Sequence, residues 1–110
     1  MLYVSMTGFR PKGLLQLQPF WWRTMRSLAQ ARRAPGNLLT TARMVDGVYH
    51  TMTAWSDLAS MRAYVTSGAH LKAMRGFRNL GTGRVFGHAC EEVPDWDNVY
   101  ALWTQHGREV

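Results

Sequence analysis

Cysteine is almost absent from this sequence, and that scarcity excludes several kinds of protein. The 110 residues contain a single cysteine, Cys90, which rules out an internal disulfide and a metal site built from a cysteine cluster. No apolar run approaches the ~20 residues that a membrane-spanning helix requires. The N-terminus lacks the charged segment and apolar core of a signal peptide. These features predict a cytoplasmic, single-domain globular protein without a membrane segment.

Acidic residues are missing from the first part of the chain. Residues 1–45 contain seven basic and no acidic side chains, a net charge of +7, whereas residues 46–110 contain six basic and seven acidic ones, a net charge of −1. Such a basic half can bind nucleic acid or an acidic partner, but charge runs more often form solvent-exposed helix faces. Nucleic acid is therefore not the favoured partner. That alternative requires Arg23, Arg26 and Arg33 to align on one exposed surface.

The signatures of common catalytic centres are also absent. The acidic residues fall in predicted turns, caps and element ends, so they form no pair of carboxylates. The glycines form no phosphate-binding loop, because none follows a strand and opens a helix at the required spacing. His88 and Cys90 share a face of a predicted strand, but two ligands are too few for a metal ion. His50 has no neighbouring carboxylate for a catalytic triad. We therefore expect no metal site.

The chain does contain alternating strand and helix patterns. Residues 2–9 and 84–92 alternate as strands do, and residues 20–33 and 57–79 repeat apolar side chains at helical spacing. Residues 81–83 predict a turn, and an aspartate, Asp95 or Asp97, can cap a last helix.

The ends and buried faces of the helices can also be predicted. Pro19 suits the first turn of the first helix, because a proline there loses no hydrogen bond. Ser56 suits the cap of the second helix. The buried stripe of the first helix is predicted to consist of four residues: Trp21, Met25, Leu28 and Ala29.

A β-hairpin is the clearest local prediction. Leu38–Val45 and Val48–Trp55 flank Asp46-Gly47, a dipeptide that tolerates the positive φ angles of a type I′ turn. This turn fixes the register and therefore the two faces of the hairpin. One face carries Val45, Val48, His50, Met52 and Ala54, and the other carries Tyr49, Thr51, Thr53 and Trp55.

The element order, βαββαβ followed by a C-terminal helix, predicts an α+β, ferredoxin-like sandwich. Residues 1–94 are expected to form the domain and residues 95–110 a C-terminal helical extension. Helices cover one face of such a sheet. The other face, with Val45, Val48, Met52 and Ala54, is too apolar for water, and a second copy would cover it with two-fold symmetry. The sequence therefore predicts a homodimer, a dimeric α/β barrel.

Three short runs resemble a known superfamily. Thr53-Ala-Trp-Ser-Asp57, Met61-Arg-Ala-Tyr64 and Ser67-Gly-Ala-His-Leu-Lys-Ala-Met74 resemble the strand–helix signature of the dimeric α/β-barrel proteins. The similarity is greatest to the antibiotic-biosynthesis-monooxygenase group and to spheroidene-monooxygenase-like proteins, and it extends over residues 1–92 by element order. It implies a homodimer that oxidises phenolic, polycyclic substrates without metal or flavin, in a cavity between sheet and helices.

The same resemblance implies catalytic residues. The tryptophan of the family's site falls on Trp55, and its helical arginine falls on Arg75. Its amide side chain falls on Thr51, whose hydroxyl cannot orient a substrate through both a donor and an acceptor as an amide does. His70 is a further candidate, as an acid–base group, a ligand or a polar cap on the turn at Gly68.

Haem is the alternative cofactor that the resemblance raises. Related haem-degrading proteins place an iron-ligating histidine one helical turn beyond His70, where this chain has Met74. We therefore expect a cofactor-independent protein, with haem bound through His70 as the alternative.

Together these features predict a cavity that binds an aromatic or polyene-like small molecule. Its walls are expected to be Trp55, Tyr49, Thr51, Thr53, Trp21 and Met25, with His70 or Arg75 at the mouth. The predicted activity is that of a monooxygenase-like oxidoreductase. The alternatives are a non-catalytic protein that binds a small ligand or haem, and a basic surface that binds nucleic acid or an acidic partner.

Overall fold

The polypeptide folds around one antiparallel sheet. The computed structural model describes residues 1–11, 13–66 and 81–109, with residues 14–21 described by their backbone alone. The elements in chain order are β1 (Leu2–Pro11), α1 (Leu14–Arg33), β2 (Asn37–Val45), β3 (Val48–Trp55), α2 (Leu58–Val65), β4 (Gly81–Cys90), α3 (Trp96–His106) and β5 (Arg108–Glu109). Across the described residues the strand order is β2-β3-β1-β4-β5. The predicted α+β, ferredoxin-like fold is confirmed. None of the helices described is long and apolar enough to cross a membrane.

The β2–β3 hairpin forms as its turn residues require. Asp46 and Gly47 have φ angles of 51° and 78°, as a type I′ turn demands. The predicted pairs Arg43–His50 and Val45–Val48 are present. At the open end, however, Trp55 pairs with Asn37 rather than with Leu38. The predicted Leu38–Trp55 pair is wrong because Leu38 forms a bulge, in which an extra residue leaves the ladder.

The start of α1 differs from the prediction. The helix begins at Leu14, so Pro19 lies inside it and lacks the N–H that would bond to the preceding turn. The leucine and glutamine residues before Pro19 are good helix formers, and they extend the helix despite that lost bond.

The α2 cap and the start of β4 also differ from the prediction. Asp57 caps α2 in place of Ser56, and its carboxylate accepts a 2.7 Å hydrogen bond from the Ser60 N–H. β4 begins at Gly81 instead of after a turn at residues 81–83. A Cβ atom at Gly81 would collide with the Arg10 carbonyl. The glycine there permits close pairing of β1 and β4 and does not make a turn.

The part of α1 that packs against Trp55 and Tyr64 carries small residues, and Leu28 of the same helix is buried as predicted. Ala31 is fully buried and packs with Trp55 and Tyr64, and Ser27 is also buried. Met25, which was predicted to be buried, is 43% exposed. Small side chains let the helix approach the aromatic pair closely, so α1 turns its Ser27 and Ala31 side inward.

The second face of the sheet is covered by α3. Asp95 caps this helix, as predicted, and accepts a 2.9 Å hydrogen bond from the Asn98 N–H. Val99 and Trp103 of this helix pack on four residues of the sheet: Val4, Met6, Met52 and Ala54. Trp103 is 8% exposed, and the other five residues are at most 1% exposed. The expectation that this face needs a second copy is therefore wrong: the chain's own C-terminal helix buries it.

Candidate functional site

A cavity of about 450 Å³ lies on the face of the sheet that packs against α1 and α2. The strand register builds its floor. Thr51 pairs with Thr7, Thr7 with Val85, and Val85 with Arg108, and directly paired residues point to the same face. One row of side chains therefore crosses four strands beneath the helices.

The walls of the cavity combine aromatic rings with hydroxyl groups. Among the described lining residues the charged or titratable nitrogen side chains are His106 and Arg108, and carboxylates are absent. From these described residues a ligand meets ring faces, hydroxyl donors and the permanent positive charge of Arg108. The aromatic and hydroxyl-bearing lining residues are Tyr3, Ser5, Thr7, Phe9, Thr24, Ser27, Tyr49, Thr51, Thr53, Tyr64 and Phe86.

Tyr64 and Ser27 lock the α1–α2 side of the cavity. The Tyr64 hydroxyl donates to the Ser27 carbonyl at 3.0 Å. The two side-chain oxygens are 2.7 Å apart, so the Ser27 hydroxyl donates to Tyr64. Burial raises the pKa of Tyr64 to about 12, with the Ser27 hydrogen bond opposing that rise. Tyr64 is therefore a neutral phenol at physiological pH and does not serve as a base.

Trp55 lies behind the cavity wall and is not one of the described lining residues. Its ring is fully buried and stacks on Tyr64, with centroids 5.0 Å apart and planes 28° apart. Its Nε1–H donates to Thr53 Oγ1 at 2.9 Å. Because that oxygen accepts the indole N–H, the Thr53 hydroxyl proton can be donated elsewhere, and Thr53 lines the cavity.

The structure brings together part of the predicted site. Tyr49, Thr51 and Thr53 line the cavity together, whereas Met25 is an exposed residue outside the described lining. The Trp21 side chain, His70 and Arg75 lie outside the described residues, as do Gly68 and Met74.

Sequence reasoning missed the contribution of the C-terminal segment. Arg108 and His106 line the cavity, although residues 95–110 were predicted to be a helical extension. The helix ends at His106, and β5 is only two residues long, which is too short for a period-two pattern to reveal. Tyr3, by contrast, shares a strand face with the other lining residues of β1. The alternation of side chains along β1 could therefore have identified Tyr3 as a lining residue.

Two other predicted groups lie away from the cavity. His50 lies on the α3 face of the sheet, opposite Arg43. On α1, Arg26 and Arg33 are exposed, whereas Arg23 is half-buried, so the three arginines are not equally available to a partner. No group of three or more His, Cys, Asp or Glu side chains within the described ranges could hold a metal ion.

Solved structures with the same architecture include an oxygenase. SnoaB from Streptomyces nogalater, a cofactor-independent oxygenase, matches 86% of this chain and 98% of its own with a TM-score of 0.67 and 19% identity. Rv0793 from Mycobacterium tuberculosis matches 86% of this chain and 100% of its own with a TM-score of 0.77 and 11% identity. The chain shares their fold.

A third similar structure is a candidate antibiotic-biosynthesis monooxygenase from Nitrosomonas europaea. It matches 86% of this chain and 94% of its own with a TM-score of 0.73 and 13% identity. No family model matches the sequence, and no curated protein matches it. At these identities the likeness establishes the ferredoxin-like fold, and the chemistry must be argued from the site.

Proposed function

We propose that this protein is a cofactor-independent, monooxygenase-like enzyme that acts on an aromatic or polyene-like small molecule. The observation that carries the proposal is the cavity of about 450 Å³, walled by tyrosine and phenylalanine rings and by threonine and serine hydroxyls. Its volume lies within the range of roughly 300–1,000 Å³ that is typical of small-molecule sites. The fold is shared with SnoaB, a cofactor-independent oxygenase.

The proposed chemistry depends on an electron-rich substrate anion. Without a metal or flavin, molecular oxygen must react with the substrate itself, and an enolate or phenolate supplies electrons more readily than its neutral acid. Hydroxyl donors aimed at the substrate oxygen stabilise that anion. Thr51 and Thr53 line the cavity, and we propose them as these donors. The indole N–H of Trp55 bonds to Thr53 Oγ1 and leaves its hydroxyl proton free to be donated. We also propose Arg75 and His70 as contributors at the mouth.

We propose a homodimer as well, with a contact surface other than the sheet face predicted from the sequence. Because α3 buries the second face of the sheet, the contact must lie elsewhere. β2 is the terminal strand of the described sheet, and its Leu38 and Met44 are 50% and 62% exposed. We propose that this edge forms the contact between copies.

Oxygen uptake with an anthrone substrate tests the activity. We expect Thr51→Val to lower kcat/KM about tenfold, because a hydrogen bond to a charged oxygen contributes about 1.5 kcal/mol or more. Thr41→Val is the matched control, because Thr41 pairs with Met52 and therefore faces α3. Trp55→Phe and Arg75→Ala are expected to lower the rate as well.

The alternatives give different results. Uptake that never exceeds the protein-free rate contradicts the enzyme proposal, and anthrone binding without uptake supports a ligand-binding protein instead. Equal loss in Thr51→Val and Thr41→Val indicates an effect on folding. A Soret band that disappears in His70→Ala supports the haem-binding alternative.

A further inference from the structure

The solvent exposure of the lining residues locates the mouth of the cavity. Among the described lining residues only Gly87, His106 and Arg108 are exposed, and the others are buried or half-buried. β5 pairs with β4 at Arg84 and Val85 alone. The cavity therefore opens at the edge of β4, immediately beyond the point where β5 stops covering that strand.

The most buried part of the described cavity lining is largely apolar. Phe9, Leu28 and Tyr64 are 2%, 7% and 7% exposed, and Ser27, at 8%, is hydrogen-bonded to Tyr64. A flat apolar group is stabilised most when it reaches this buried part of the cavity, because there it leaves water and contacts ring faces.

Among the described lining residues, the mouth carries positive charge and no carboxylate. Arg108 lies beside Val85 on the cavity face, and the His106 ring lies 6.1 Å from the Phe86 ring, also at the mouth. The neighbouring acid, Glu109, pairs with Arg84 and so points to the opposite face. Arg84 is itself held by the Gly107 carbonyl at 2.8 Å. Of the described lining residues, Arg108 therefore offers an entering ligand a permanent positive charge.

A hydroxyl donor lies at the same opening. A Cβ atom at Gly87 would lie 2.6 Å from the Tyr3 hydroxyl oxygen, so Tyr3 reaches over this glycine. Gly87 and Val85 are two residues apart on one strand, roughly 7 Å. Tyr3 and Arg108 thus flank one opening from neighbouring positions.

We propose that the substrate is an amphiphilic acid: a flat aromatic or polyene body that enters the cavity, with an ionised carboxylate that stays at the mouth. Arg108 binds the carboxylate, since a guanidinium matches its two oxygens, and the Tyr3 hydroxyl adds a donor. Arg108 is thereby a specificity-determining residue. This inference rests on the proposed function, because it assumes that the cavity is the substrate site.

Equilibrium binding of anthracene-9-carboxylate and of its methyl ester tests the inference. The two probes share a ring system, and only the first carries a charge. We expect the protein to bind the acid at least about tenfold more tightly than the ester, since a hydrogen bond to a charged group is stronger than one between neutral groups. Arg108→Gln should remove most of that preference, because it lowers the affinity for the acid and changes the affinity for the ester less than about twofold. The Arg108→Glu variant should bind the ester more tightly than the acid.

The control is Arg33→Gln, which removes an exposed cation from α1 and should leave the preference unchanged. Equal affinity for acid and ester overturns the inference, as does a preference that survives Arg108→Gln. If neither probe binds, both the inference and the proposed site are contradicted. The expected binding pattern without any oxygen uptake leaves the inference intact and contradicts only the enzymatic function.

Discussion

His50 is a polar side chain in an aromatic, water-excluded site. It is 1% exposed, and the rings of Tyr100 and Trp103 meet it nearly edge-on at 5.3 and 4.6 Å. Its Nδ1 has no hydrogen-bond partner among the described atoms. Arg43 pairs with it from β2, and Arg84 lies across Gly8 on β4. Burial lowers the pKa of His50, because desolvation disfavours the charged imidazolium.

His50 should therefore make the protein sensitive to acid. The folded state keeps the imidazole neutral, whereas the unfolded chain takes up a proton near the ordinary pKa of 6.5. Protons then favour unfolding, so this contribution to stability is full above pH 6.5 and declines as the pH falls below it. Urea unfolding at about pH 7.5 and about pH 5 should show a smaller decline in His50→Leu than in the parent.

The control for this prediction is His106→Gln, which removes an exposed histidine and should retain the decline of the parent. If His50→Leu loses as much stability on acidification as the parent does, His50 is not the sensitive group.

Strand periodicity predicted the β3 part of the cavity floor at the level of single residues. Tyr49, Thr51 and Thr53 share a face because alternate residues of a strand do, and all three line the cavity. Trp55 belongs to the same strand face by this alternation, but it lies at the end of the strand, where its ring stacks on Tyr64 from α2. A period alone cannot predict that contact, because it depends on how the helix returns over the sheet. Arg108 depends likewise on the chain's path after α3.

The helix α3 shows the same limit at the level of elements. Its aspartate cap followed from the sequence, with Asp95 and Asp97 as the two candidates, because capping is a local property. Its docking surface did not. An apolar sheet face can be buried by a second copy or by a helix of the same chain, and both leave the same pattern in the strands. The connection after β4 decides between them, and here it carries α3 across β1 and β3.

Gly8 is the point at which α3 fits the sheet. A Cβ atom there would collide with the Trp103 ring and lie 2.9 Å from His50 Cε1. Trp103 is held in place, because its Nε1–H donates to the Arg84 carbonyl at 2.9 Å. We expect Gly8→Ala to lower the free energy of unfolding by about 1–3 kcal/mol, as overpacking does.

A double-mutant cycle with Trp103→Leu tests the cause. The smaller side chain makes room for the Cβ atom, so Gly8→Ala should cost distinctly less in the Trp103→Leu background than in the parent. Equal costs in the two backgrounds would assign the effect to the β1 backbone instead of to the contact with α3.

With helices over both faces, the whole molecule has little apolar sheet surface left for a partner. The large apolar side chains that are exposed on the described strands are Leu38 and Met44, both on β2. A terminal strand also presents unpaired backbone groups, which favour pairing with another strand. Two copies that join along β2 would extend the sheet across a two-fold axis and shield both side chains.

The oligomeric state is therefore the prediction that belongs to the molecule as a whole. Sedimentation equilibrium at micromolar concentration should give twice the mass of the chain. The double variant Leu38→Lys with Met44→Lys should give the mass of a single chain, because lysines on an edge strand repel a second copy and keep water on the backbone. Met25→Lys, at an exposed apolar residue of α1, should remain dimeric. A monomeric parent contradicts the dimer, whereas a dimeric double variant contradicts only the β2 contact.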